Sequence, residues 1–264
     1  MIAWTHLLSR LVVFVVAFAC VRISAASNPA QAAPTAPAPA APVAPAAPVA
    51  PRAPAAQAAP SWEGLWMGRT GGPRELDVIL EVGADTLPVV RVSMYSAGVM
   101  NEECRGVSTA DGRLKASWQP GVGFMAFDLA QVPGQANVAE GELLMAPPGQ
   151  KEPTSQPLKL TRKPHAESVK GAEHWSGTLE TPNGNLDMGL VLATTPDGMT
   201  VGALDIPLQG VAKMPLDVER SSGMWNIRIP VRETARLLLA PIEDRLEGRF
   251  QQATLDLAIV FRKG

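Results

Sequence analysis

Few residues of this 264-residue chain suit chemistry, and they are scattered. A serine nucleophile needs Gly-x-Ser-x-Gly on a strand-to-helix turn. The nearest stretch, Gly106-Val107-Ser108-Thr109-Ala110, lacks the second glycine. His165 and His174 lie in a polar stretch with Glu167 and Glu173. All four are of ligand type, but their spacing matches no metal signature, and a metal site needs three or four converging ligands. Asp77 and Asp187 recur at matching places. Paired carboxylates could exchange protons, yet alternation puts both on the solvated face of a strand. Glu140 and Glu247 recur likewise, each beside a glycine, which reads as a turn or bulge. The most suggestive polar set is Gln209, Gln251 and Gln252. Amides at a barrel mouth can hold a small polar ligand, or they can satisfy backbone groups at an edge. The expectation is a non-enzyme with no catalytic residue, no metal site and no cofactor.

Composition narrows the partners. Lys and Arg total 23 against 25 Asp and Glu, a formal net charge of −2. That balance excludes the strongly basic footprint of a nucleic-acid binder. Aromatic residues make up 5% with a single tyrosine, Tyr95, so stacking platforms for bases or sugars are scarce. The expected partner is a small ligand or another envelope protein.

The N-terminus reads as an address. Leu11 to Val21 is apolar and stopped by Arg22, and a spanning helix needs about twenty residues. Small residues follow at Ser24, Ala25 and Ala26. Residues 1–26 are therefore expected to be a cleaved signal peptide. An uncleaved anchor and lipidation at Cys20 are the alternatives. Residues 27–60 are almost entirely Ala and Pro and cannot bury enough apolar surface to offset ordering entropy. They are expected to form a disordered, polyproline-biased linker. Together these predict export to the periplasm or envelope, with no transmembrane helix in the mature chain. Cys104 is then the single cysteine of the mature chain, expected as a buried small hydrophobe.

The rest of the chain repeats itself. Trp62-Glu63-Gly64 matches Trp175-Ser176-Gly177, Leu76-Asp77-Val78 matches Leu186-Asp187-Met188, and Ser96-Ala97-Gly98-Val99 matches Leu208-Gln209-Gly210-Val211. Ala139-Glu140-Gly141 matches Leu246-Glu247-Gly248, and both copies end on a run closing with Arg162 or Arg262. Each copy alternates apolar and polar residues with period two, as in Leu76, Val78, Leu80 and Val82, which predicts strands with one wet face. Turn signals such as Pro182-Asn183-Gly184 separate them. About eight short strands per copy, joined by tight turns, bury one apolar face by closing on themselves. The predicted architecture is all-β: two tandem up-and-down barrels from an internal duplication, at residues 61–163 and 174–264, with a connector at 164–173. Closure makes first and last strands neighbours. Trp62 with Arg162, and Trp175 with Arg262, are the expected barrel plugs through cation–π contact.

The Trp and Arg placement resembles the lipocalin-type, calycin signature. The second copy resembles the small β-domain that precedes some exported bacterial α/β-hydrolase, serine-esterase-like proteins. The matching elements are Trp175-Ser176-Gly177-Thr178-Leu179, Leu204-Asp205-Ile206-Pro207-Leu208-Gln209-Gly210, Gly248-Arg249-Phe250-Gln251 and Phe261-Arg262. With no hydrolase expected in the chain itself, the resemblance implies an accessory fold. Three readings follow: a non-enzymatic binding module, a carrier of a small apolar ligand inside a barrel, and an accessory subunit of a separate exported hydrolase.

Overall fold

The computed structural model describes residues 61–72, 75–84, 88–119, 123–146, 152–231 and 233–264. The expected signal peptide, the linker and Cys20 lie outside them. Strands and four short 3₁₀ turns make up the regular structure, with no α-helix among the described residues. No helix among them is long and apolar enough to cross a membrane.

The first copy is a nine-stranded antiparallel sheet ordered β4-β3-β2-β1-β9-β8-β7-β6-β5. Its strands are β1 Gly64–Thr70, β2 Asp77–Val82, β3 Val90–Met94, β4 Val99–Glu103, β5 Arg105–Ser108, β6 Arg113–Trp118, β7 Phe124–Val132, β8 Gln135–Ala146 and β9 Thr154–Lys163. The second copy is a closed barrel of β10 Glu173–Thr181, β11 Gly184–Thr194, β12 Thr200–Ile206, β13 Val211–Ser221, β14 Met224–Ile229, β15 Ala235–Ile242, β16 Arg245–Gln252 and β17 Leu255–Lys263. Within each barrel every strand pairs with its sequence neighbours, except that β4 and β5 do not pair with each other, and the first pairs with the last, β1 with β9 and β10 with β17.

One difference explains nine strands against eight. In the second barrel β13 serves two neighbours: Val211–Leu216 pairs with β12 and Asp217–Ser221 with β14. In the first barrel the same run is broken at Cys104 into β4 and β5, the two edges of the sheet. The Cys104 N–H donates to the Val90 carbonyl at 2.8 Å, and its side chain is buried in the barrel core. The first barrel thus closes through one covalent residue rather than through a ladder. Burial pushes the Cys104 thiol up to about 12, aided by the Glu103 carboxylate.

The alternation read from sequence fills both interiors. Trp66, Leu80, Phe127 and Leu160 in the first, and Leu190, Leu237, Leu239 and Phe261 in the second, are almost completely shielded. Gly141 and Gly248 sit within β8 and β16 rather than at the turn or bulge expected from sequence. The reason is close approach. A Cβ on Gly141 would fall 2.0 Å from the Asp128 carbonyl oxygen, and one on Gly248 1.8 Å from that of Leu238.

The plugs use a different register from the one sequence suggested. Trp66 faces Leu80 and Trp175 faces Leu190, in each case three residues after the aligned Asp77 or Asp187. The structural counterpart of Trp175-Ser176-Gly177 is therefore Trp66-Met67-Gly68. The Arg162 guanidinium lies 4.7 Å from the centre of the Trp66 ring, and Trp62 packs against Trp66 with its ring tilted, centroids 5.1 Å apart. The Trp66 indole N–H donates to the Trp62 carbonyl at 2.7 Å. In the second barrel Lys263, not Arg262, covers Trp175 at 5.5 Å. Arg262 pairs across from Ser176 and points outward, as strict alternation from Phe261 requires.

Candidate functional site

The two barrels form one compact unit, and their junction holds two clefts. β1 and β2 carry apolar residues on both faces. Trp66, Val78 and Leu80 point into the barrel, while Leu65, Met67 and Ile79 form a separate buried cluster on the outside with Tyr95. A strand apolar on both faces is a strand covered on both faces. The cover is the outer surface of β13 and β14, whose Pro215, Asp217 and Arg228 share the clefts with these residues.

Around this apolar patch runs a chain of alternating charges. Arg228 of the second barrel donates through Nη2 to both oxygens of Asp77, at 3.1 and 3.0 Å. Lys163 donates to Asp217 at 3.0 Å, and Arg69 lies 3.5 Å from Asp217 and 3.8 Å from Asp77. Burial alone would raise the Asp217 carboxyl, but Lys163, Arg69 and Arg228 together hold it below its ordinary value. These residues line an open cleft of about 180 Å³. Asp77 is therefore not on a solvated face, as its alternation suggested. Its side chain is 13% exposed, because the second barrel covers it. The aligned Asp187 keeps the solvated role and accepts from Thr178 at 2.8 Å.

The larger cleft, about 580 Å³, lies beside this one. Two equivalent bulges converge on it. The ladder slips between Val92 and Met94 in the first barrel and between Leu204 and Ile206 in the second. Opposite each slip stands a non-glycine residue in the left-handed region, Asn101 at φ 54° and Lys213 at φ 48°. Each is pinned by a side chain across the ladder: the Asn101 N–H donates to Ser93 Oγ at 2.8 Å and the Lys213 N–H to Asp205 Oδ1 at 2.8 Å. This accounts for the aspartate in Leu204-Asp205-Ile206: it holds the bulge that aims β13. Asn101 and Lys213 both line the cleft, with Tyr95, Glu81, Arg91 and, from the connector, His165 and Glu167.

The groups there are only partly satisfied. Burial, with the Glu81 charge, raises Tyr95 against a lowering hydrogen bond from Ser93. His165 Nε2 stands 3.6 Å from Glu81 Oε1, and Arg91 3.6 Å from Glu103. Glu167 Oε1 is shut off from solvent with no donor. The connector is itself packed, with Ala166 buried against Val191, Ala193, Val201 and Ala203 on the outside of β11 and β12.

Gln209, Gln251 and Gln252 do share one end of the second barrel, where the β12–β13, β14–β15 and β16–β17 connections lie. Gln209 is exposed in a 3₁₀ turn, Gln252 Nε2 donates to the Glu233 carbonyl at 3.0 Å, and Gln251 hydrogen-bonds Asp256. Glu173 is taken by Lys263 at 2.8 Å, and no group of three His, Cys, Asp or Glu able to hold a metal occurs among the described residues. Tyr95, Ser93, Glu167 and Lys213 carry no sequence signature as a set. The readable hint was the doubly apolar runs Leu65-Trp66-Met67 and Val78-Ile79-Leu80.

No protein-family model matches the chain, and no curated protein matches it. Among solved structures it is similar to a protein of unknown function from the DUF3598 family of Nostoc punctiforme, at 9% identity over 76% of this chain and 95% of that one, with a TM-score of 0.25. It is also similar to a protein provisionally assigned as AttH from Nitrosomonas europaea, at 9% identity over 75% and 91%, with a TM-score of 0.20.

Proposed function

We propose that this protein is an exported, non-enzymatic binding module of the cell envelope, and that it binds at the junction of its barrels rather than inside either one. The observation that carries this reading is where space and side chains lie. Large residues such as Trp66, Phe127 and Phe261 occupy the interiors, while the two clefts lie between the barrels. A carrier of an apolar molecule needs an enclosed apolar cavity of several hundred Å³. The clefts here are open and lined by ion pairs. The resemblance of residues 174–264 to the β-domain before exported hydrolases supports an accessory role, in which the bound partner is a separate envelope protein.

Native mass spectrometry of the full chain, purified from an exporting host, tests the reading. A bare mass, together with capture of an envelope partner that is lost when the junction is altered, is the expected result. An apolar small molecule that leaves only on denaturation would overturn it in favour of a carrier.

A further inference from the structure

We infer that residues 101–106 of the first barrel form a hinged flap, which opens locally while the rest of that barrel and the second barrel stay folded. Opening uncovers the interior wall made by Val90 and Val92 of β3 and by Leu114 and Ala116 of β6. The second barrel has no matching flap, because its equivalent strand is anchored where this segment is not. The opening is independent of whether the protein is a binding module.

The two copies supply the comparison. The ladder slips at the same place in both, and Asn101 corresponds there to Lys213. Between Ala212 and Arg220 the second barrel buries Met214, Leu216 and Val218, every second residue, as a strand closing over an interior must. Between Met100 and Ser108 the first barrel buries Cys104 alone. Cys104 matches Leu216, so the anchors on either side of it are lost. Glu102 stands across from the buried Val92, as Met214 stands across from the buried Leu204. Glu102 is exposed, since an unpaired carboxylate is costly to bury. Gly106 stands in place of Val218 and has no side chain to bury.

What remains to hold the segment is slight. The Cys104 N–H bond to the Val90 carbonyl fastens its middle at 2.8 Å. Arg91 and Glu103, 3.6 Å apart, are both well exposed, and such pairs add little. The ladder to β6 is irregular between Arg105 and Ser108, where Ser117 Oγ donates to the Arg105 carbonyl at 3.1 Å. In the second barrel Asp217 to Ser221 pairs along β14 without a break. Asn101 at φ 54° and Gly106 at φ 57° bound the segment. Hinges are a few residues that absorb a change in φ and ψ, and glycine does so most freely. A segment with few buried apolar contacts opens at a fraction of the free energy of global unfolding. Asn101 also lines the larger inter-barrel cleft, so one hinge of the flap borders the junction.

The test is native-state hydrogen exchange of the full chain by ¹H–¹⁵N NMR across a series of low urea concentrations. The protection factor of the Cys104 amide should lie about tenfold or more below that of Leu216, its counterpart. Cys104 exchange should barely respond to urea, because a local opening exposes little surface, while the amides of β8 and β9 accelerate as global unfolding takes over. Glu102→Met restores an anchor and should slow Cys104 exchange about tenfold or more. Glu102→Gln removes only the charge and should leave the rate within about threefold. Equal protection at Cys104 and Leu216, or Cys104 exchange that rises with urea in step with β8 and β9, would overturn the flap. So would a Cys104 rate no slower in Glu102→Met than in Glu102→Gln.

Discussion

The pair that ties the barrels together can be tested by a double-mutant cycle on Asp77 and Arg228. Nη2 of Arg228 meets both carboxylate oxygens of Asp77, at 3.0 and 3.1 Å, and the two side chains are only 13% and 19% exposed. At about 3 Å and an effective dielectric near 20, two unit charges attract by roughly 5.5 kcal/mol. Desolvating both groups offsets more than half of that, leaving a coupling of about 2 kcal/mol, within the range of contacting residues. Removing one partner of a fully buried pair costs about 3–5 kcal/mol. Residual exposure, and Arg69 at 3.8 Å from Asp77, bring the expectation for Asp77→Asn or Arg228→Gln down to about 2–3 kcal/mol. Urea unfolding followed by tryptophan fluorescence reads both numbers. The single variants should also broaden or split the transition, because each barrel has its own core and the seam makes them unfold together. A coupling under about 0.5 kcal/mol, with an unbroken single transition in both variants, would refute the view that this pair locks the junction.

Trp66→Ala should cost about 3–5 kcal/mol by thermal or urea unfolding, since the ring is fully buried and hydrogen-bonded. Arg262→Ala should stay within about 0.5 kcal/mol, and the reverse ranking would restore the plug expected from sequence. Gly248→Ala should destabilise by more than about 2 kcal/mol, because its Cβ would lie 1.8 Å from a backbone oxygen that cannot turn aside; a soluble variant with unchanged stability would contradict the close approach. Asp217 sits below its ordinary value near 3.8, so between its folded value and that ordinary value the unfolded chain binds more protons. Stability from this group is present above about pH 4 and lost as pH falls through the folded value, and Asp217→Asn should flatten the acid limb of the stability–pH curve. Cys104, pushed up to about 12, should resist a thiol reagent at pH 8 in the folded protein and react at once in denaturant, because the thiolate is the reactive form.

Much of the fold was legible because a strand with one wet face writes period two into the sequence. Leu76 through Val82 and Leu255 through Phe261 show it plainly, and the turns between strands are marked by Gly, Asn and Asp. The duplication was visible for the same reason. Register was not. The first copy contains Trp-x-Gly twice, at Trp62 and at Trp66, and choosing between them depends on which residue faces Leu80, a pairing made across the sheet. The same four-residue shift moved the plug from Trp62 to Trp66. Asp77 was misplaced because alternation reports two faces of a strand but not what covers the outer one. The cleft was illegible for a similar reason: Tyr95, Asn101, Glu167 and Lys213 come from different strands and a connector, and only the docking of one barrel on the other brings them together.

The order of assembly follows from the way each barrel is sealed. β1 needs β9, so the first barrel can close once Lys163 has emerged, whatever the second is doing. Lys163 meets Asp217 across a separation of 54 residues. In an exported chain that stretch leaves the translocation channel after the first barrel has emerged. During that interval Leu65, Met67 and Ile79 face solvent on a finished barrel with nothing over them. The chain therefore passes through a half-built stage with a sticky flank, vulnerable to pairing with the same flank of a neighbouring nascent chain, until β13 arrives to cover it.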